Sequence, residues 1–317
     1  MRRAGLIAIL VLLWASIPAR AAAPLVVATV APVHSLVAMV LGEAGSPVLL
    51  VPPGTSPHGF ALRPSQARAL DRAALVFWIG PGLENWLVGP LATLAGDARS
   101  VALADTPGLV VYARRAGGRW PGNGHEDGQG HEDADEQGHD HGSGGIGDRD
   151  MHMWLDPRNA SLWVEVIAGE LARLDPSNAS LYAANAAAAR AGLTALEDEI
   201  AGLLAPVRSV PYVVHHDAYR YFEERFGLHP VGSLALGDAD APSAARVRDI
   251  RARIVETGAH CVFVEPQFAP ALVDTVIEGT GAAKGVLDPL GADLPAGAAL
   301  YPALLRAMAG QLRACLG

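Results

Sequence analysis

The eleven histidines of this chain fall into two populations. His125, His131, His139 and His141 crowd into one stretch, interleaved with Glu126, Asp127, Glu132, Asp133, Asp135, Glu136 and Asp140. A tract that mixes imidazole with carboxylate binds divalent cations weakly and at several positions. The other histidines lie among apolar runs, where a folded scaffold can aim them. His58 ends Gly54-Thr55-Ser56-Pro57-His58, and His152 lies in Met151-His152-Met153-Trp154-Leu155-Asp156-Pro157. His215 and His216 close Tyr212-Val213-Val214 and lead into Asp217-Ala218-Tyr219, while Asp288 sits between Val286-Leu287 and Pro289-Leu290-Gly291. Singly, each is an ordinary structural residue. In combination they outline a metal centre, because three imidazoles and one carboxylate suit tetrahedral Zn(II) with Zn–N near 2.0–2.1 Å. Manganese favours more oxygen ligands, so a histidine at 216 points to zinc where a carboxylate would point to manganese. Trp154 is expected to pack the site, and His34, His229 and His260 are read as structural.

The elements that must position these residues follow an α/β alternation, in which short β-branched runs are separated by longer helical patterns. Strands are predicted at 25–30, 47–51 and 74–79, with helices at 33–41, 64–72 and 83–94, the last interrupted or bounded at Pro90. Asp156 and Pro157 open a further helix with a capping side chain and a proline at the first position. A long Ala-rich helical run over 176–204 has Leu181, Leu193, Leu196, Ile200 and Leu203 on roughly one face. At 1.5 Å per residue it would reach about 40 Å, which suits a strut between two lobes. Beyond it, strands are predicted at 210–215, 260–264 and 284–287 and helices at 218–226, 243–256, 270–278 and 301–316. The expected organisation is thus two (β/α) lobes with mainly parallel sheets. The N-terminal lobe covers 24–175, the linker helix 176–205 and the C-terminal lobe 206–317. Ligand sites in open α/β sheets gather beyond the carboxyl ends of strands. Candidate ligands fall in both lobes, so a shared ion would sit in the cleft between them. Residues 117–150, rich in Gly, His, Asp and Glu, hold too little apolar surface to offset the entropy of ordering and are predicted to be a flexible insertion.

Half of the 317 residues are apolar and the formal net charge is −9. That excludes the basic footprint of a nucleic-acid binder. Arg2 and Arg3, the apolar run 5–17 and the small residues around Ala19-Arg20-Ala21 read as a secretory signal over 1–23, with cleavage near Ala21 or Ala23. The apolar run is too short to span a bilayer, no later span is predicted, and the mature protein is expected free in the periplasm. The two cysteines, Cys261 and Cys315, form an even pair that invites a disulfide in an oxidising compartment.

The order and spacing of five motifs resemble the ZnuA-type zinc-binding proteins of ABC importers, cluster A-I of the solute-binding proteins. They are Gly54-Thr55-Ser56-Pro57-His58 with Leu62-Arg63-Pro64-Ser65, His152-Met153-Trp154-Leu155-Asp156-Pro157, His216-Asp217-Ala218-Tyr219, Val264-Glu265-Pro266-Gln267 and Leu287-Asp288-Pro289-Leu290-Gly291. The resemblance covers essentially the whole mature chain and includes the acidic His-rich insertion. It implies one metal between two lobes joined by a rigid helix, with His58, His152 and His216 as ligands and Asp288 in the fourth place. The family's adjacent histidine pair usually contributes its second member, which selects His216 over His215. The Cys261–Cys315 bridge also matches the zinc branch. The resemblance further implies Zn(II) as transported cargo, an inner-membrane ABC permease with its ATPase as partners, a monomer, and no catalytic activity. One departure is Pro57, where some relatives carry a Glu. Proline cannot ligate, so Asp288, water or a histidine of the insertion must fill the fourth position. Glu265 reads equally as a group that fixes the site and as a capping or solvated carboxylate. Three other readings are a manganese- or iron-binding importer protein of the same fold, a zinc-dependent hydrolase, and a zinc chaperone that never meets a permease. Against the hydrolase, no H-E-x-x-H is present and no carboxylate is placed as a general base.

Overall fold

The computed structural model describes residues 24–115, 120, 149–235, 237, 242–268 and 271–317. The expected signal segment and the four histidines of the acidic tract lie outside the described residues. The N-terminal lobe runs β1 (Val26–Ala28), α1 (Ala31–Leu41), β2 (Val48–Leu49), α2 (Pro64–Asp71), β3 (Leu75–Trp78), α3 (Asn85–Thr93) and β4 (Arg99–Ala102). Two helices follow, α4 (Pro157–Leu174) and α5 (Ala179–Leu204). The C-terminal lobe runs β5 (Tyr212–His216), α6 (Arg220–Phe226), β6 (Pro230–Ala235), α7 (Ala244–Thr257), β7 (Cys261–Val264), α8 (Ala271–Ile277), β8 (Ala283–Val286) and α9 (Leu300–Leu316).

The two sheets are wound alike. Their strand orders are β2-β1-β3-β4 and β6-β5-β7-β8, and every pairing is parallel. In each lobe the first strand is central, with the second on one side and the third on the other. Chain direction across the sheet therefore reverses at β1 and at β5, and the crevice beyond such a switch point is where open α/β sheets bind ligands. β1, β3, β5 and β7 are buried along their whole length, as strands covered on both faces must be.

The predicted strands and helices are found with shifts of up to three residues at their ends. Two strands were not anticipated. β4 is Arg-Ser-Val-Ala, an edge strand exposed at its first two residues, and β6 carries Pro230, Gly232 and Ser233, so neither shows the β-branched run that marks a strand. α3 continues through Pro90 rather than stopping there.

The long helix is less of a bare strut than its sequence suggests. It lies along α4 and also packs against α1 of the first lobe and α9 of the second. Its inner face, Tyr182, Ala186, Leu193, Leu196, Ile200 and Leu204, is buried. These residues belong to one apolar cluster that also holds Phe77 from the first sheet and Tyr212 and Phe263 from the second. Cys261, opening β7, is disulfide-bonded to Cys315 near the end of α9. Among the described residues, no helix is long and apolar enough to cross a membrane.

Candidate metal centre

His58 stands in the loop after β2. That loop turns at Pro53 and Gly54, where φ is +71°, a backbone state that glycine adopts without penalty, and the Thr55 N–H donates to the Pro52 carbonyl. The indole N–H of Trp86 on α3 donates to the Pro57 carbonyl at 2.7 Å, so the residue that cannot ligate instead moors the loop. His152 precedes a single 3-10 turn, 153–155, that leads into α4. The Asp156 side chain caps that helix by accepting from the Arg158 N–H, and Arg225 pairs with the same carboxylate. Trp154, fully buried, donates its indole N–H to the Pro289 carbonyl across the seam, while the Tyr301 hydroxyl donates to the Trp154 carbonyl. His152 is thus fixed by contacts to both lobes.

His216 is the last residue of β5, at the switch point of the second sheet. Successive side chains of a strand point to opposite faces, so His215 and His216 diverge. His215 stacks on Phe268 with ring centroids 4.1 Å apart, and burial, followed by the neighbouring His216, pushes its pKa down to about 4. His216 faces the first lobe.

Three imidazoles from three separate elements therefore converge. The ring centroids of His152 lie 5.3 Å from those of both His58 and His216, and His58 and His216 are 6.4 Å apart. The Nε2 atoms of His58 and His152 are separated by 3.3 Å. A tetrahedral centre with metal–nitrogen bonds near 2.05 Å has nitrogen–nitrogen edges of about 3.3 Å, so this pair already has the spacing of two zinc ligands. One nitrogen from each of the three rings lies within 4.8 Å of the others. His152 and His216 are buried and His58 is half-buried.

Two of the rings are oriented by carboxylates. Asp150 Oδ1 lies 2.8 Å from His152 Nδ1 and also accepts the His152 backbone N–H. Glu265 Oε1, just past β7, lies 2.5 Å from His216 Nδ1, and its other oxygen accepts from the Gln267 amide. A carboxylate at Nδ1 fixes the tautomer with the proton there and leaves the Nε2 lone pair for a cation. Burial pushes the Asp150 carboxyl up to about 6, opposed by the His152 N–H and the Arg115 charge. Asp217 is likewise raised to about 6 by burial, against the pull of Arg115. Beside the trio a cavity of about 260 Å³ opens, walled also by Arg114, Arg115, Asp150 and Asp217.

Asp288 is placed differently. Its Oδ1 accepts the backbone N–H groups of Leu290 and Gly291, and its Oδ2 accepts that of Ala292. Among the described residues, the cluster that could hold an ion consists of His58, His152 and His216. Sequence reasoning missed Asp150, assigning it to the flexible insertion. The signal was present, an Asp two residues before a candidate ligand, but the acidic tract around it hid the distinction. The insertion's ends are also more ordered than expected: Trp120 and Asp150 are buried, and Arg149 bridges to Ala113. Of the residues read as structural, His34 is buried against the Pro47 carbonyl.

Two alike-wound parallel sheets, with a histidine trio gathered at their seam, define a two-lobed α/β protein with a candidate interlobe metal centre. A family model described as zinc-uptake complex component A, periplasmic (ZnuA), matches residues 26–315, and the chain belongs to that family. The high-affinity zinc uptake system protein ZnuA of Brucella abortus (strain 2308) is 42% identical over 320 residues, spanning 92% of this chain and 91% of that protein. Its counterpart in Paracoccus denitrificans is 42% identical over 311 residues, with 96% and 95% covered. A crystal structure of ZnuA superposes with a TM-score of 0.74 at 23% identity, covering 93% of this chain and all of that one. FpvC from Pseudomonas aeruginosa, in complex with Mn2+, superposes at 0.75 with 19% identity over 93% and 98%. These two likenesses concern the fold.

Proposed function

We propose that this chain captures Zn(II) in the periplasm with His58, His152 and His216 and hands it to an ABC permease in the inner membrane, driven by that importer's ATPase. The zinc ion is cargo, and the protein acts as a monomeric carrier rather than as an enzyme. Residues 1–23 serve as the export signal. The observation that carries the reading is the convergence of three imidazole nitrogens, one from each of three elements, within 4.8 Å of one another. Family placement supports it, since the matched family is a zinc-uptake component and the relatives in Brucella and Paracoccus are named as high-affinity zinc uptake proteins.

For the fourth position, solvent from the adjoining cavity fits better than Asp288. Moving the Asp288 carboxylate onto a metal would strip three backbone N–H groups of their acceptor, and leaving such groups unmade costs about 1–3 kcal/mol each where they are buried. Asp288 then acts by shaping the 288–292 turn, whose Pro289 carbonyl receives Trp154.

The test is a competition titration of the metal-free mature protein with a chromophoric zinc chelator. Binding tighter than micromolar is expected, with a loss of at least about 100-fold in His58→Ala, His152→Ala and His216→Ala and a much smaller loss in Asp288→Asn. A micromolar or weaker constant, unchanged by the histidine substitutions, defeats the reading. Competition with Mn(II) separates zinc capture from manganese capture on the same fold.

A further inference from the structure

The root of the acidic insertion leaves one lobe and is fastened to the other. Residues 110–115 start on the N-terminal lobe, where the Val110 N–H and carbonyl both bond the Asn159 side chain of α4. From there most anchors belong to the C-terminal lobe, while the Arg114 guanidinium reaches back to the Gly82 carbonyl of the N-terminal lobe at 3.4 Å. The Tyr221 hydroxyl on α6 accepts the Tyr112 N–H and donates to the Asp150 carbonyl, joining the outgoing and returning strands of the root. Arg220 donates to the Ala113 carbonyl at 2.5 Å. The Arg115 side chain, 13% exposed, pairs with Glu223 of α6 and, at 3.3 Å, with Asp217, the residue after His216. Trp120 is 5% exposed; its N–H donates to the Val231 carbonyl on the edge strand β6, and its own carbonyl accepts from Arg253 of α7. The Arg115 guanidinium lies over the Trp120 ring, 4.1 Å from the centroid.

An insertion that only needed to be soluble would not bury a tryptophan on the opposite lobe or place an arginine between two buried carboxylates. Arg115 is the middle link of a chain running from Trp120, docked on β6, to Asp217 beside a candidate ligand. The returning strand carries Asp150, which orients His152. One piece of backbone therefore touches the supports of ligands in both lobes.

We propose that Arg115 and Trp120 form an interlobe clasp that holds His216 against His58 and His152, making them positioning residues for zinc capture and release. The clasp rests on the three-histidine reading above. Separating the lobes to free the ion requires breaking the Arg115 ion pairs and lifting Trp120 off β6. Retained zinc is thus governed partly by residues that never touch it. If loss of the clasp lowers the binding-competent fraction to a tenth, apparent affinity falls about tenfold.

The experiment uses the full mature protein and its Trp120→Ala, Arg115→Ala and Arg115→Lys variants. Zinc release is timed against excess chelator, and Co(II) absorption reports the ligand set. Trp120→Ala is expected to bind zinc about tenfold more weakly in chelator competition, the factor set by that competent fraction, and to release it faster, while keeping the parental Co(II) spectrum. Arg115→Ala should do the same, and Arg115→Lys, which retains the charge, should recover part of the parental rate. If Arg115→Ala fails to fold because Glu223 and Asp217 lose their counter-charge, Trp120→Ala decides alone. Parental release rates in the folded variants overturn the clasp. That failure is distinct from failure of the ligand assignment, in which His58→Ala, His152→Ala and His216→Ala would leave the Co(II) spectrum unchanged.

Discussion

Asp150 and Glu265 determine which face of their imidazoles is offered to a metal. Each carboxylate stands at Nδ1 of its histidine, one from each lobe, so the Nε2 lone pairs converge without having to be sorted when the ion arrives. Loss of such outer partners typically weakens metal affinity 10–100-fold. Asp150→Asn and Glu265→Gln, which keep the shape but remove the charge, are expected to weaken zinc binding about tenfold in a chelator competition, with the Co(II) spectrum still tetrahedral. Equal affinity in both variants would mean the carboxylates only pack. The histidines themselves were legible in the sequence, because imidazoles at strand ends beside Pro and Gly are few. Of their carboxylates, Glu265 was legible only as one of two equal readings, since it meets His216 through the pairing of β5 with β7, 49 residues away in sequence, and Asp150 falls within the stretch predicted as the insertion. A second residue-scale consequence concerns Glu84, buried where α3 begins, whose carboxylate accepts the Ile79 and Gly80 N–H groups just past β3. Desolvation outweighs those bonds and raises its pKa from 4.5 to about 7. The folded state therefore binds this proton more tightly than the unfolded chain does. The resulting stabilisation is full below about pH 4.5 and is lost as pH rises through 7. Relative to Glu84→Gln, the parent should lose on the order of 2–3 kcal/mol of stability between pH 5 and pH 8, read from urea unfolding at each pH. Parallel pH profiles would place the proton elsewhere.

At the scale of elements, what the sequence concealed was decided by partners rather than by propensity. β1, β3, β5 and β7 are central or doubly covered and read as apolar runs, so they were visible. β4 and β6 each lie at one edge of their sheet, opposite β2 and β8, where one side of the ladder is open, and their Arg-Ser and Pro-x-Gly-Ser residues lack a β-branched run. β6 even begins with a proline, as an edge strand permits. The Cys261–Cys315 bridge acts at this scale too, tying the last helix to the strand that carries Glu265 on its far end. Cross-linking positions 54 residues apart removes chain entropy worth about 4 kcal/mol in the simple loop model. The Cys261→Ser, Cys315→Ser double variant is expected to unfold at lower temperature, with zinc affinity within about threefold of the parent because neither sulfur faces the trio. A large affinity loss without a fall in melting temperature would instead give the bridge a role in shaping the site.

At the scale of the whole molecule, the decisive feature is that a large apolar cluster is common to both lobes, beside a smaller one belonging to each lobe alone. A hinge-type binding protein has two cores and a thin connection between them. Here the buried face of α5 runs against α1 and α9 at once, and a single apolar cluster continues from Phe77 in one sheet to Phe263 in the other. Opening the cleft by a large rotation would expose part of that cluster at about 25 cal/mol per Å², so a few hundred Å² would cost several kcal/mol. Interlobe hydrogen bonds such as Trp154 to Pro289 and Tyr301 to Trp154 oppose the same movement. A tetrahedral ion requires little rotation in return, because the His58 and His152 nitrogens already stand 3.3 Å apart and only the approach of His216 is left to complete. Zinc binding should therefore change the radius of gyration by less than about 1 Å in solution scattering, and both lobes should unfold together in one calorimetric transition. That transition should move upward as a unit with added zinc, by about 2.7 kcal/mol of stability at a free concentration one hundred times the dissociation constant. Leu196→Ala, at the middle of the buried face, should lower it by about 2–5 kcal/mol without splitting it. Two resolved transitions, or a compaction of several ångströms on binding, would show that the lobes are independent bodies and that the long helix is a hinge after all.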